Sequence, residues 1–172
     1  WAGAAVDCDF VVRGGTDRRR PCSPIEIIFY DGGNTMGQPT PIVNESTGEL
    51  LLMFSLNNRE MFVSHYDPQA QQFSDPVDIT AVAQALDVPF EVNRMGAGPT
   101  AGLQTASGRL MAPVWVNDSI GVAPEYRAGV LYSDDAGTTW QEGGVPAVPA
   151  PIAGTNESTV ALLPNGSVYL TQ

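Results

Sequence analysis

The chain has 172 residues, a net charge of −11 and 43% apolar residues, enough to fill the core of one domain or of part of a larger one. Lys and Arg number 8 against 19 Asp and Glu, and the one basic cluster, Arg18-Arg19-Arg20, reads as a solvated turn, so composition argues against nucleic acid as a partner. No apolar run nears the ~18 residues of a spanning helix. The chain begins at Trp1 without a signal-peptide pattern and reads as a segment of a longer or processed protein.

Eighteen Gly and fourteen Pro punctuate short apolar runs, the pattern of an all-β chain. Asp9–Arg13 is a short strand followed by the turn Gly14–Asp17. Ile25–Tyr30 is apolar nearly throughout and is expected to be a strand buried on both faces. Asp31-Gly32-Gly33-Asn34 is a tight turn, and Gln38-Pro39-Thr40-Pro41 is expected to be extended because a residue before proline avoids the helical region. Glu49–Ser55 is a strong strand, Asn57-Asn58-Arg59 turns the chain, and Met61–His65 returns it. Asp78–Leu86 is the one helical segment, with Asp78 or Thr80 as N-cap. The small-residue loop Gly96–Gly102 has no helix or Lys-Ser/Thr behind it, so it reads as a close backbone approach at a strand end rather than a phosphate cradle. Leu103-Gln104 and Leu110–Val116 form a hairpin around Ser107-Gly108, and Asn165-Gly166 turns a last hairpin that includes Val160–Leu163.

Cys8 and Cys22 fit a pair across the first hairpin or two free thiols. With His65 as the only histidine and no Cys-x-x-Cys, neither a metal site nor a cofactor is expected. Asn44, Asn117, Asn156 and Asn165 each begin an Asn-x-Ser sequon in what reads as a turn, which fits an extracellular or secretory-pathway protein.

Ser133-x-Asp135-x-Gly137-x-Thr139-Trp140 follows the apolar strand Gly129–Tyr132. Ser133 and Asp135 can bond the turn's own backbone, Gly137 supplies a positive φ, and Trp140 puts a large ring beneath. Degenerate copies start at Gly15 and Tyr66, so the successive spacings are 51 and 67 residues. Recurring strand units at such spacing indicate propeller blades, here about three. Too few blades to close a ring imply a partial propeller domain over residues 1–172 that continues beyond both ends.

The Ser133–Trp140 pattern resembles the Asp-box, or BNR repeat, and other segments fall in the order found in the exo-α-sialidases (neuraminidases) of glycoside hydrolase family 33. These are Asp31-Gly32-Gly33-Asn34-Thr35-Met36-Gly37-Gln38-Pro39-Thr40-Pro41-Ile42-Val43, Gly48–Phe54, Ser74–Thr80, Gly102–Gln104 with Gly108–Pro113, and Gly154-Thr155-Asn156-Glu157. The resemblance runs over nearly the whole chain. It implies a six-bladed β-propeller that removes terminal sialic acid from glycans, glycoproteins or glycolipids with retention, without metal or cofactor. In that family three arginines clamp the sugar carboxylate, a tyrosine is the nucleophile, a glutamate activates it, and an aspartate is the acid/base. A neutral tyrosine approaches an anionic sugar more easily than a carboxylate does.

By the same resemblance Glu157 is the glutamate that partners the tyrosine, Trp115 is an aromatic lining the sugar, and Gln38 lies near the sugar where the family often has Asn. Ser133, Asp135, Gly137 and Trp140 are structural. The acid/base aspartate aligns with Gly3 or Ala4, and Asp7 is the nearest carboxylate able to serve. Arg59 and Arg94 match no clamp position. The family's first arginine would precede Trp1, the second would fall at or just beyond Gln172, and the third arginine and the tyrosine would lie further on. The chain alone is therefore expected to be inactive. A non-catalytic sialidase-like propeller that binds glycans or proteins is the alternative.

Overall fold

The computed structural model describes residues 4–5, 26–29, 31–119, 124–147 and 154–171. Asp7, Cys8, Cys22, the Asp9–Arg13 strand, the Arg18–Arg20 cluster and the turn copy starting at Gly15 lie outside the described residues. The strands are β1 (Ala4–Ala5), β2 (Glu26–Ile27), β3 (Met36–Asn44), β4 (Glu49–Leu56), β5 (Glu60–Asp67), β6 (Gln72–Phe73), β7 (Val77–Asp78), β8 (Arg94–Ala97), β9 (Leu103–Gln104), β10 (Leu110–Asn117), β11 (Tyr126–Ser133), β12 (Gln141–Gly144), β13 (Thr159–Leu162) and β14 (Val168–Thr171), with one short helix, α1 (Thr80–Gln84).

All pairings are antiparallel. The first large sheet has the order β3-β4-β5-β6, with β7 on β5; the second has the order β8-β10-β11-β12, with β9 on β10. β13-β14 and β1-β2 are two-stranded ribbons. The two large sheets repeat one plan, in which a third strand turns into a short outer strand. In the first sheet that turn is Tyr66–Phe73, where Asp67 Oδ1 accepts from the amides of Gln69 and Ala70 and the rings of Tyr66 and Phe73 lie 5.3 Å apart. In the second it is Ser133–Trp140. The alignment of these two segments in the sequence therefore marks equivalent places in two blades.

The core lies between the sheets. Ile42, Leu51, Met53, Met61 and Val63 of the first sheet pack with Met95, Ala97, Leu110, Ala112, Val114, Val116 and Leu131 of the second. Ile79, Ala83, Leu86 and Val92, from the segment joining the sheets, close the same cluster. Alternation explains the inward choice on β3, where Thr40, Ile42 and Asn44 are buried and Pro41 and Val43 exposed.

Four expectations change. The helix spans Thr80–Gln84 rather than Asp78–Leu86, because Asp78 is taken by the sheet opposite Phe62 and the Thr80 hydroxyl accepts from the Met61 amide at 2.9 Å. No side chain caps it; Asp78 Oδ1 instead accepts from the Thr80 amide at 2.8 Å, one residue early. Of Ile25–Tyr30, only Glu26–Ile27 is strand among the described residues; Ile28 and Phe29 are half-buried, and Phe29 stacks on Phe54 at 4.9 Å. Gln38 is not extended but has φ +57°, inside a bulge where β3 slips register against β4 between Gly37 and Thr40. Finally, Asn44 and Asn117 end strands rather than occupy turns, and each is only 2% exposed, so neither is open to a glycan in the folded chain; Asn156 and Asn165 are exposed.

The Ser133–Trp140 turn is built by its own side chains. Ser133 Oγ donates to Asp135 Oδ1 at 2.8 Å and accepts from the Gly137 amide at 2.8 Å. Asp135 accepts from the Thr139 amide at 2.8 Å and the Thr139 hydroxyl at 2.6 Å. Trp140, 6% exposed, donates Nε1–H to the Gly137 carbonyl at 3.1 Å. Next to the turn, Asp134 forms a two-point pair with Arg109 at 2.7 and 2.8 Å, and the guanidinium lies 4.0 Å over the Tyr132 ring.

The Thr139 hydroxyl and amide, followed by the Ser133 hydroxyl, hold the Asp135 carboxyl at about 2, below its ordinary 3.8. A carboxylate whose pKa is lower folded than unfolded stabilises the fold above the unfolded value, and that contribution fades as pH falls through the folded value. The urea midpoint is therefore expected to drop between about pH 4 and pH 2 in part through Asp135. In Asp135→Asn this part of the acid-side slope disappears; an unchanged slope rejects the assignment.

Candidate functional site

The site is assembled around Gly98. Its amide donates to the Pro113 carbonyl of β10 at 2.7 Å, and its carbonyl accepts from the Thr40 hydroxyl of β3. A Cβ at Gly98 would collide with the Ser158 carbonyl and lie 2.9 Å from the Pro113 ring, so only glycine lets the three segments meet here. Thr100 Oγ1 donates to the same Ser158 carbonyl at 3.2 Å, and the Gly102 amide donates to the Pro41 carbonyl at 2.9 Å. Gly96 and Gly102 are equally tight, with a Cβ meeting the Trp115 indole at 2.6 Å and the Met111 carbonyl at 2.5 Å. The small-residue loop is thus a close backbone approach, as its composition implies.

This junction brings together residues far apart in sequence. Gln38 leaves the β3 bulge with its Nε2–H donating to Glu157 Oε1 at 3.3 Å, across 119 residues. Glu157 is exposed and precedes β13, between Thr155 and Ser158, which are buried. Thr155 is anchored twice. Its hydroxyl accepts from the Ala128 amide at 2.7 Å and its amide donates to the Tyr126 carbonyl at 3.2 Å. Glu157 is therefore a solvent-facing carboxylate on a fixed backbone.

Beside it is a shallow depression of about 290 Å³ lined by Pro99, Thr100, Glu157, Ser158, Thr159 and Thr171. The lining residues are Glu157, three threonines, Ser158 and a proline, and the surface they expose to the depression is mostly apolar. Two buried polar atoms next to it, Gln38 Oε1 and Ser158 Oγ, have no hydrogen-bond partner among the described residues. Among the described residues no Lys or Arg lines the depression; Arg59 and Arg94 are exposed elsewhere. Among the described residues, no three His, Cys, Asp or Glu side chains group closely enough to hold a metal ion.

Of the residues singled out from the sequence, Gln38 and Glu157 meet. Trp115 does not join them. It is 5% exposed on β10, packed over Gly96 and tilted against Tyr126 at 5.8 Å, and it is not among the residues lining the depression. Its Nε1–H is buried without a partner. Trp115 packs across the strand pair onto Gly96, its register partner on β8, where the absence of a side chain leaves room for the indole. Asp7 lies outside the described residues. Ser133, Asp135, Gly137 and Trp140 are engaged with one another in the turn and are absent from the depression's lining. Thr100 and Ser158 do not stand out in the sequence. The loop's glycines announce a close approach, but nothing local to them names Ser158 as what they approach.

No family model matches the chain. Among solved structures, a Hadza microbial sialidase, Hz136, superposes with a TM-score of 0.67 at 21% identity, over 85% of this chain and 32% of its own length. A Trypanosoma rangeli sialidase solved with sialic acid gives 0.67 at 16% identity, over 91% of this chain and 28% of its own. A protein of unknown function from Dyadobacter fermentans gives 0.67 at 17% identity, over 88% and 47%. The chain thus spans about a third or less of the two sialidases it matches. At these identities the likeness is one of fold. The chain is all-β, of the six-bladed propeller class of the sialidases, and covers about three blades.

Proposed function

We propose that this chain is part of a retaining exo-α-sialidase, a glycosidase that removes terminal sialic acid from glycans, glycoproteins or glycolipids, and that Glu157 is the base partnering a tyrosine nucleophile supplied from outside the chain. The observation that carries this reading is Glu157 itself, an exposed carboxylate two residues after the doubly anchored Thr155, bonded to Gln38 and lining a shallow depression. The order of the sialidase-like segments in the sequence and the likeness of fold support it. Glu157 takes the proton as the tyrosine oxygen attacks the anomeric carbon and returns it when water releases the sugar. Asp7 is the acid/base in this reading, and Gln38 lies near the sugar with its amide on Glu157. The protein acts outside the cell or in the secretory pathway.

Among the described residues the depression offers an anionic sugar no cation, and the chain's net charge is −11, so this reading takes the clamp from outside the described residues. The 172-residue chain alone is accordingly expected to leave a fluorogenic sialoside intact, whereas the full-length protein hydrolyses it and releases the α-anomer first, as read by proton NMR. Binding of sialic acid by the full-length protein without turnover decides for a non-catalytic glycan-binding propeller. Release of the β-anomer first excludes the retaining mechanism.

A further inference from the structure

Three features of Gln38 remain unexplained by a role in folding. Its φ is +57°, a region that bulky L-residues avoid and that is doubly unfavourable before a proline. Its Oε1 is buried with no donor among the described residues, although an amide at a sheet bulge could simply be turned to water. Its Nε2 donates to Glu157 Oε1, at 3.3 Å. A glycine would relieve the first and a hydrophobic side chain the second. Only a hydrogen-bond donor supplies the third.

The amide cannot be reversed, since that would set its oxygen against the carboxylate oxygen of Glu157. The arrangement therefore keeps a strained backbone and an orphaned acceptor in order to aim one N–H at one carboxylate. Strain of this kind persists where the surroundings over-determine it, and here the Thr40–Gly98–Ser158 junction does so. Glu157 is otherwise free to rotate, being exposed, with its neighbours Thr155 and Ser158 buried.

We infer that Gln38 is a positioning residue for Glu157. It fixes the rotamer of the carboxylate so that one oxygen is occupied by the amide and the other is left for the reacting group. The inference rests on the proposed role of Glu157 as base. Gln38 then acts on the rate of the chemical step and little on substrate affinity, because orientation of a base matters in the transition state.

The test uses the full-length protein and two substitutions. Gln38→Met keeps size and removes the N–H; Gln38→Gly also removes the backbone strain, so it guards against loss of fold as the explanation. Both are expected to lower kcat about 10- to 100-fold with KM within about threefold. In parallel, the Gln38 side-chain amide resonances in the parent are expected to shift on Glu157→Ala. Full turnover in Gln38→Met beside a disabled Glu157→Gln overturns the positioning role alone. Full turnover in Glu157→Gln removes the base and the positioning role together. Gln38 amide resonances unmoved by Glu157→Ala overturn the contact itself.

Discussion

In the full-length protein, Glu157→Gln is expected to lower turnover of a fluorogenic sialoside by at least about 100-fold, with the thermal midpoint essentially unchanged. The substitution keeps the shape of the side chain, and the oxygen of the introduced carboxamide can still accept from the Gln38 amide, so the junction around Gly98 is undisturbed. Glu157 is exposed, and no buried partner is left unsatisfied. What is lost is a group able to take a proton from the attacking oxygen, and removing a general base costs on the order of 10²–10⁴ in rate, or about 3–5 kcal/mol of barrier. Parallel losses in kcat and kcat/KM identify an interaction made in the transition state. Turnover within about tenfold of the parent takes Glu157 out of the chemistry.

Gly137→Ala is expected to destabilise the fold by about 3 kcal/mol, with no direct effect on the depression. Gly137 has φ +90°, which a Cβ resists by roughly 1–2 kcal/mol. A Cβ there would also collide with Leu51 Cδ2. Leu51 is fully buried in the first sheet, between Ile42 and His65 in the strand pairing, so it has nowhere to retreat, and overpacking of this kind costs about 1–3 kcal/mol. His65 joins the same contact, with Nε2 facing the Gly137 carbonyl at 3.4 Å and Nδ1 on Glu49 Oε1 at 2.7 Å. The turn of the second sheet is in this way seated on the first. Urea unfolding of Gly137→Ala measures the loss, and a midpoint equal to the parent's shows that the turn is not wedged against Leu51. Residual activity per folded molecule is expected to be normal, which separates this variant from Glu157→Gln.

The two substitutions also mark what local sequence can and cannot tell. The turn is legible in full. Ser133, Asp135, Gly137 and Trp140 interact within eight residues, so their types and spacing already contain the hydrogen bonds that the structure displays. The hairpins at Asn57–Arg59, Ser107-Gly108 and Asn165-Gly166 are legible for the same reason. Local preference misleads where a distant strand overrides it. Asp78 and Thr80 look like helix caps, but β5 claims both. Gln38 precedes a proline and looks extended, but a bulge opposite Phe54 turns it to φ +57°. Asn44 and Asn117 carry sequons, but strand alternation buries Asn44 and the packing of β10 on both faces buries Asn117.

The all-β class, the repeated strand-turn-strand units and Glu157 as a carboxylate worth following are all contained in the order of residues. These rest on interactions between residues near each other in the chain, or on resemblance along it. Folding in three dimensions was needed to make Gln38 meet Glu157, to bury Trp115 against Gly96, and to bring Thr100 and Ser158 to the depression. The cause is physical and lies at Gly98. Three segments from three sheets converge on a residue without a side chain, and no pattern within any one of them specifies the other two.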